Sequence, residues 1–301
     1  MFPAGGKHIP PESPLVTPQG TRAVLRRFGI RPLKRFGQHF LVSARALDQI
    51  VAAAALSRAD AVLEIGAGLG TLTQALAAQA GQVTAVELDR RLIPVLDETL
   101  SAYPSARIVA GDVLELPLDG LFGGPPDASR KVVANLPYNI AATVLVRLLA
   151  PALRIARLVV TVQREVAERI TASAGTAAYG RLSIAIQFRG AARVVCRIPP
   201  GAFLPPPDVE SAVVEIVPSS EPTVAVPDAD EFFRIVAAGF GQRRKTLLNA
   251  LTHGLDLPAG MVAAACHACG IDPGVRAERL GLDALGALAR ALHPVLSRPG
   301  G

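Results

Sequence analysis

Short apolar runs alternate with helical patterns along the first two thirds of the chain. Runs of this length, bounded by Gly, Asn or Asp, are typical of strands buried on both faces, and their alternation with helices is typical of a parallel sheet. Strands are predicted at 61–65, 82–86, 107–110, 131–135, 157–162, 193–197 and 211–217. Helices are predicted at 43–56, 71–80, 141–149, 163–169 and 179–188. The pattern therefore predicts an α/β fold.

Two proline-rich segments divide the chain. Residues 1–20 contain five prolines and are predicted to be disordered. Residues 218–227 form a linker rich in Ser and Pro, and every element predicted beyond it is a helix. One helical face there should form a small core, and it carries Phe232, Phe233, Val236 and Phe240. We predict an α/β domain over 21–218 and a helical domain over 219–301.

Basic residues are concentrated near the amino terminus. The chain has a formal net charge of +6, and residues 1–58 hold nine Lys and Arg against two acids. The positive potential therefore belongs to the amino-terminal arm, which suits phosphate groups of nucleic acid or an anionic membrane surface, or is simply solvated. The candidate nucleic-acid contacts are Arg31, Lys34 and Arg35 in the arm and Arg243, Arg244 and Lys245 in the helical domain.

Targeting signals and metal sites are not predicted. The chain has no apolar segment typical of a signal peptide or a membrane span, so we expect a cytoplasmic protein with no membrane partner. The three cysteines cannot all pair with one another, which fits a reducing compartment. Cys266 and Cys269 have the spacing of half a zinc site, but no second pair completes it, so we expect no metal. A monomer is expected because no self-complementary apolar helix stands out.

Polar or glycine residues end each of the first four main strands. The turn 66–70 is glycine-rich and lies between a strand and a helix, which is typical of nucleotide-binding units, although its third glycine comes one residue too early for the dinucleotide pattern. Glu87 lies 21 residues after Gly66, where a carboxylate would accept the hydroxyls of a ribose. Asp112 could accept from an adenine amino group. These strand ends predict a cofactor crevice and leave NAD open.

The fourth strand ends at Asn135, where Pro137 stops ladder pairing. An amide oxygen, turn carbonyls and the Tyr138 phenol are thereby presented together. This set suits an exocyclic amine on a heteroaromatic ring, because two acceptors can take its N–H groups while Tyr138 stacks on the ring. An Asn-capped turn with a core tyrosine is the alternative. Phe203, in a proline-rich loop, is expected to stack on the other side of a flipped base, or to fill the core.

The motifs 64–70, Glu87, 111–112 and 135–138 together resemble those of S-adenosylmethionine-dependent methyltransferases that modify adenine N6. With the segments 36–41, 202–213 and 240–247 added, the chain resembles the small-subunit ribosomal RNA adenine dimethyltransferases, the kasugamycin-sensitivity enzymes of bacteria. This resemblance covers roughly residues 30–290. It implies a Rossmann-like seven-stranded methyltransferase sheet, mostly parallel with one late antiparallel strand, and a small C-terminal all-α domain.

The resemblance also implies roles for individual residues. The expected catalytic residues are Asn135, Leu136, Pro137, Tyr138 and Phe203. The expected cofactor-binding residues are Gln38, His39, Leu41, Gly66, Gly68, Glu87, Asp112 and Asn135. Many relatives have Asn in place of His39, and an imidazole can also donate or accept a hydrogen bond.

The function implied is dimethylation of N6 on two adjacent adenines near the 3′ end of small-subunit ribosomal RNA, during ribosome biogenesis. S-adenosyl-L-methionine is the expected cofactor, and small-subunit rRNA or the pre-small ribosomal subunit is the expected partner. Two alternatives remain: a large-subunit rRNA adenine dimethyltransferase that confers macrolide resistance, and a non-catalytic RNA-binding assembly factor. An NAD oxidoreductase is a more distant alternative.

Overall fold

The computed structural model describes residues 13–242 and 244–297. Its strands are β1 Phe40–Leu41, β2 Asp60–Ile65, β3 Gln82–Glu87, β4 Ala106–Ala110, β5 Ser129–Asn135, β6 Ile155–Gln163, β7 Gly190–Ile198, β8 Phe203–Leu204 and β9 Ser211–Pro218. Its α-helices are α1 Pro18–Arg27, α2 Ala44–Ala54, α3 Thr71–Ala77, α4 Ile93–Thr99, α5 Ala141–Leu148, α6 Arg164–Ile170, α7 Arg181–Arg189, α8 Ala229–Gly241, α9 Leu247–Leu255, α10 Ala259–Ala268 and α11 Leu282–Leu296. All seven predicted strands and all five predicted helices are present, with ends shifted by at most three residues.

Seven strands form one sheet, in the order β4-β3-β2-β5-β6-β9-β7. The pairings from β4 through β6 are parallel, and β9 pairs antiparallel with β6. The order reverses at β2 and β5, so these neighbouring strands are followed by connections that run in opposite directions along the sheet. A crevice at the carboxyl ends of such strands is where ligands bind in open α/β sheets. The predicted mixed, mostly parallel sheet is confirmed.

The described chain divides into two compact units. The first contains residues up to 167 together with 191–218, and the second contains 168–190 together with the residues from 219 onward. The predicted domain boundary at 218 therefore assigns 168–190 to the wrong unit. The physical reason is apolar burial: Tyr179 and Phe188 are 0% exposed and belong to the same core cluster as Phe232. The expected helical face is confirmed within this cluster, where Phe233 and Phe240 are partly buried.

Two of the amino-terminal prolines, Pro14 and Pro18, are the first residues of helical elements. The disorder predicted for 1–20 is wrong for residues 13–20, whereas 1–12 lie outside the described residues. Pro18 is the first residue of α1, where a missing N–H costs no hydrogen bond, and the Thr17 side chain caps the helix by accepting from the Gly20 N–H. Leu15 is 1% exposed in an apolar cluster of the first unit, so this segment is fixed by burial.

Candidate active site

A cavity of about 280 Å³ lies at the carboxyl edge of the sheet in the first unit. Its wall is formed by the ends of β2, β3, β4 and β5 and by the segment that leads into β1. It brings together ten of the predicted site residues: Gln38, His39, Gly66, Gly68, Glu87, Asp112, Asn135, Leu136, Pro137 and Tyr138. Four polar strand ends that are distant in sequence therefore meet in one space.

The glycine-rich turn after β2 needs glycine for both conformation and space. Gly66 and Gly68 have φ values of +79° and +60°, which side chains other than glycine rarely adopt. A Cβ at Gly68 would lie 3.2 Å from the Phe40 ring, which is tighter than an ordinary contact. The turn therefore keeps bare backbone against the cavity, so that a ligand can approach it closely.

Glu87 ends β3 with both carboxylate oxygens held by backbone N–H groups. Oε2 accepts from the Gly68 N–H at 2.8 Å, and Oε1 accepts from the Asp89 N–H at 2.8 Å. Burial raises the pKa of Glu87, while these two hydrogen bonds oppose that rise. The carboxylate is thus fixed in the cavity wall, and its remaining lone pairs are able to accept hydroxyl groups.

Glu64, on β2, is a second carboxyl group near Glu87, but it is 1% exposed and does not line the cavity. Burial, and to a smaller extent the charge of Glu87, raises the pKa of Glu64 to about 8. Glu64 is therefore mostly protonated at neutral pH. The two carboxyl groups avoid charge repulsion because one is neutral and the other is held by backbone donors.

The side-chain amide of Asn135, at the end of β5, has its nitrogen hydrogen-bonded and its oxygen unpaired within the described residues. Its Nδ2 donates to the main-chain oxygen of His39 at 3.1 Å. Its Oδ1 is buried and has no hydrogen-bond partner within 13–242 and 244–297. An unpaired buried amide oxygen costs roughly 1 to 3 kcal/mol, so its presence in a cavity wall indicates a ligand that donates an N–H or O–H.

Tyr138 is anchored at its hydroxyl and contacts His39 through its ring. The phenol and the Ser211 hydroxyl are 2.7 Å apart, and burial raises the pKa of Tyr138. The His39 ring lies 5.4 Å from the Tyr138 ring at an angle of 25°, and His39 Nδ1 lies 2.8 Å from the Pro205 carbonyl oxygen. Because the carbonyl oxygen can only accept, Nδ1 is the donor in that contact. The tyrosine ring is therefore held in one orientation at the cavity.

This donor and acceptor set fits an adenosine-containing cofactor. Glu87 has the position expected for ribose hydroxyls, and Asp112 follows the next strand in the sheet. Leu88 and Val113 add apolar surface beside these two carboxylates and suit a flat ring. The residues present therefore fit the cofactor that the sequence motifs predict.

Comparison with known proteins decides the family. Residues 31–285 match the profile of the family described as ribosomal RNA adenine dimethylase. The chain belongs to this family. It is 42% identical to ribosomal RNA small subunit methyltransferase A of Geobacillus thermodenitrificans, over 93% of this chain and 98% of the relative. It is 44% identical to the protein of the same name from Pelotomaculum thermopropionicum, over 91% and 96%.

Solved structures agree with the fold of a ribosomal RNA adenine dimethylase. A dimethyladenosine transferase from Plasmodium falciparum superposes with a TM-score of 0.69 at 24% identity, over 84% of this chain and 97% of that one. The 23S rRNA methyltransferase ErmE superposes with a TM-score of 0.64 at 25% identity, over 84% and 99%. The expected family, fold class, methyltransferase activity and S-adenosylmethionine cofactor are confirmed.

Two predicted residues of this dimethylase do not reach the cavity. Leu41 is 5% exposed and pairs with Phe203 between β1 and β8. Phe203 is 2% exposed and packs in the apolar core. The structure thus contradicts the stacking position predicted for Phe203, because a ring enclosed by core side chains has no face open to a base. The alternative of a core residue under the proline-rich loop describes it correctly.

The predicted RNA contacts lie in both units. Arg31 and Arg35 are exposed in the first unit, and Arg35 also lines the cavity and stacks on the Phe36 ring at 4.8 Å. Arg244 and Lys245 are exposed in the second unit, where they precede α9. Arg243 and the side chain of Lys34 lie outside the described part of the chain.

Several cavity residues were not predicted from the sequence. Gly37 has a φ of +60°, and a Cβ there would lie 3.6 Å from the Tyr138 backbone nitrogen. Asn139 and Ile140, which follow the predicted turn, also line the cavity. Their closeness to a motif is the only sequence signal for them, since their side chains are of ordinary surface and core types.

Proposed function

We propose that this chain transfers methyl groups from S-adenosylmethionine to N6 of adenine in small-subunit ribosomal RNA. The product is dimethyladenosine at two adjacent positions near the 3′ end, formed during ribosome biogenesis. The relatives named small subunit methyltransferase A span nearly the whole chain and support this substrate. The observation that carries the proposal is the buried Asn135 Oδ1, which lies in the cavity wall while its amide is oriented by the His39 main-chain oxygen.

Asn135 acts on the amine by accepting one of its N–H groups. The lone pair of an adenine amine is delocalised into the ring, so the nitrogen is a poor nucleophile. Two acceptors on its N–H groups would hold the amine in a pyramidal geometry, which localises the lone pair on the nitrogen. The Pro137 carbonyl already accepts from the Ile140 N–H at 3.1 Å. We therefore assign the second acceptor role to the Leu136 carbonyl.

The cofactor residues lie along the ends of the strands next to Asn135. Gly66 and Gly68 let it approach the backbone, Glu87 accepts ribose hydroxyls and Asp112 accepts from the adenine amine. His39 and Gln38 border the cavity where the amino-terminal arm passes it. When bound, S-adenosylmethionine supplies a methyl group on a positively charged sulfur.

Tyr138 holds the target base by stacking. Its anchored hydroxyl keeps the ring in one orientation, so a flipped adenine meets a preformed surface. Phe203 packs in the core under the proline-rich loop and does not contact the base. Such positioning of two reactants is worth on the order of 7 to 11 kcal/mol of the activation barrier, and this chemistry needs no strong general base.

The basic residues bind RNA phosphates. Exposed Arg31 and Arg35 in the first unit would contact the strand that carries the target base, and Arg244 and Lys245 would contact RNA from the helical unit.

Within the described residues, no helix is long and apolar enough to cross a membrane. We propose that the protein acts in the cytoplasm as a monomer.

Methyl transfer from labelled S-adenosylmethionine tests the function. The substrates are undermethylated small ribosomal subunits, large subunits and naked ribosomal RNA, with the modified nucleoside identified afterwards. We expect dimethyladenosine only in small-subunit RNA. Label in large-subunit RNA would move the chain to the resistance enzymes, and ribosome binding without any label would favour the assembly factor.

A further inference from the structure

Gln38 uses both polar atoms of its side chain to bind the protein itself. Its Oε1 accepts from the Leu33 backbone N–H at 2.8 Å, and its Nε2 donates to Asp89 Oδ2 at 2.9 Å. Leu33 lies within the basic arm, five residues before Gln38. The side chain therefore closes a loop of the arm and ties that loop to the turn after β3.

Asp89 connects this contact to the carboxylate proposed to bind the ribose. Its side chain is 4% exposed and also accepts from the Arg91 backbone N–H and guanidinium, which hold its pKa below the usual range. Its own backbone N–H donates to Glu87 Oε1 at 2.8 Å. A continuous series of hydrogen bonds thus runs from Leu33 through Gln38 and Asp89 to Glu87.

We propose that Gln38 is a positioning residue that clamps the arm segment 31–38 onto the turn 87–89, and that it does not itself recognise the cofactor. The clamp keeps Glu87 oriented toward the cavity and holds exposed Arg35 in the cavity wall. An arm that is already ordered loses less conformational entropy when RNA binds. The inference rests on the proposed function, because it assumes that Glu87 contacts the cofactor.

The Gln38→Glu variant breaks one bond of this series. It retains an oxygen for the Leu33 N–H but replaces the donor to Asp89 with an oxygen, so two carboxylates would face each other. We expect the Kd for S-adenosylhomocysteine, measured by calorimetry at about pH 8, to rise about tenfold, which corresponds to about 1.4 kcal/mol. We also expect trypsin to cleave the cofactor-free protein several-fold faster after Arg35. The matched control is Gln19→Glu, the same change on an exposed helix position, which should alter both values less than twofold.

Two further measurements identify the contact itself. The rise in Kd, relative to the wild type at the same pH, should shrink toward about pH 5, because the introduced carboxyl can then carry a proton and donate to Asp89. The double variant Gln38→Glu with Asp89→Asn should recover part of the lost affinity, because an amide donor now faces the introduced carboxylate, although this nitrogen can no longer accept from the Arg91 guanidinium. A purely structural defect would respond to neither change.

Unchanged Kd and cleavage rate in a folded Gln38→Glu protein would overturn the proposal, as would a double variant no better than the single one. If Gln38→Glu does not fold, Gln38→Met, which has similar length and no polar atoms, must show the same two effects. The cleavage measurement needs neither cofactor nor RNA. A wild-type protein that resists trypsin but transfers no methyl group would therefore refute the proposed function and leave the clamp standing.

Discussion

At the carboxyl edge of the sheet, the first unit buries three polar groups: Glu64 is mostly protonated at neutral pH, Glu87 is held by backbone donors and Asn135 presents an unpaired oxygen. In the helical unit the core consists of apolar and aromatic side chains, with the Phe188 and Phe232 rings stacked 4.7 Å apart. Burial of polar groups costs stability unless they are paired, whereas burial of aromatic rings stabilises. The comparison indicates that the sheet edge is arranged for chemistry and the helical core for stability.

The largest effect should come from the helical core. Phe232→Ala removes a ring that is 0% exposed and contacts two other phenylalanines. We expect the free energy of unfolding to fall by about 3 to 5 kcal/mol, measured by urea denaturation. Phe122→Ala, at a partly buried position in the first unit, is the control and should cost clearly less. A loss below about 1 kcal/mol for Phe232→Ala would contradict the assignment of stability to this core.

A substitution at the sheet edge should lower the rate of methyl transfer and leave stability nearly unchanged. Asn135→Ala removes the proposed amine acceptor, and we expect the rate of methyl transfer to fall about 100-fold to 1,000-fold, as for the loss of one oriented hydrogen-bond partner of a transition state. Thermal stability should change little, because the substitution also removes an unpaired buried oxygen. Single-turnover kinetics and a melting curve measure both effects, and binding of S-adenosylhomocysteine should only weaken.

The control for this variant is Asn249→Ala, which changes the same residue type at an exposed position on α9. It should leave both the rate and the melting temperature near the wild-type values. Full methyl transfer by Asn135→Ala would remove Asn135 from the mechanism.

A pH-dependent effect, smaller per pH unit than the two above, should come from Glu64. Its pKa is about 8 in the folded protein against an ordinary 4.5, so between these values the folded state binds one more proton than the unfolded state. The stabilising contribution is complete below about pH 4.5 and is lost as the pH rises through 8, at about 1.4 kcal/mol per pH unit. Glu64→Gln cannot lose a proton there and should flatten this decline in urea denaturation. Glu115→Gln, at an exposed site, should leave the slope as it is.

Local chemistry made much of the site predictable. Pro137, two residues after Asn135, has no N–H to continue the ladder of a central strand, and glycines between a strand and a helix form a ligand-accessible turn in many folds. The positions of Glu87 and Asp112 follow from the same rule, because the carboxyl ends of parallel strands meet at one edge. These predictions needed only neighbours in the sequence.

The wrong predictions depended on distant neighbours. Phe203 is enclosed by side chains from other elements of the first unit, and no property of its own loop indicates that. Segment 168–190 reads as part of an α/β domain by its pattern, yet its aromatic residues pack with those of α8. Sequence pattern locates an element but does not choose its tertiary partners.

The position of β9 has a consequence for the newly made chain. β9 lies between β6 and β7 in the sheet, although it follows both in the sequence, so the sheet cannot close until residues 211–218 have left the ribosome. The core around segment 168–190 forms later still, because its other residues lie from 219 onward in the sequence. Until then Tyr179 and Phe188 lack the phenylalanine partners that bury them. During synthesis this segment is therefore the one most exposed to aggregation and to chaperone binding.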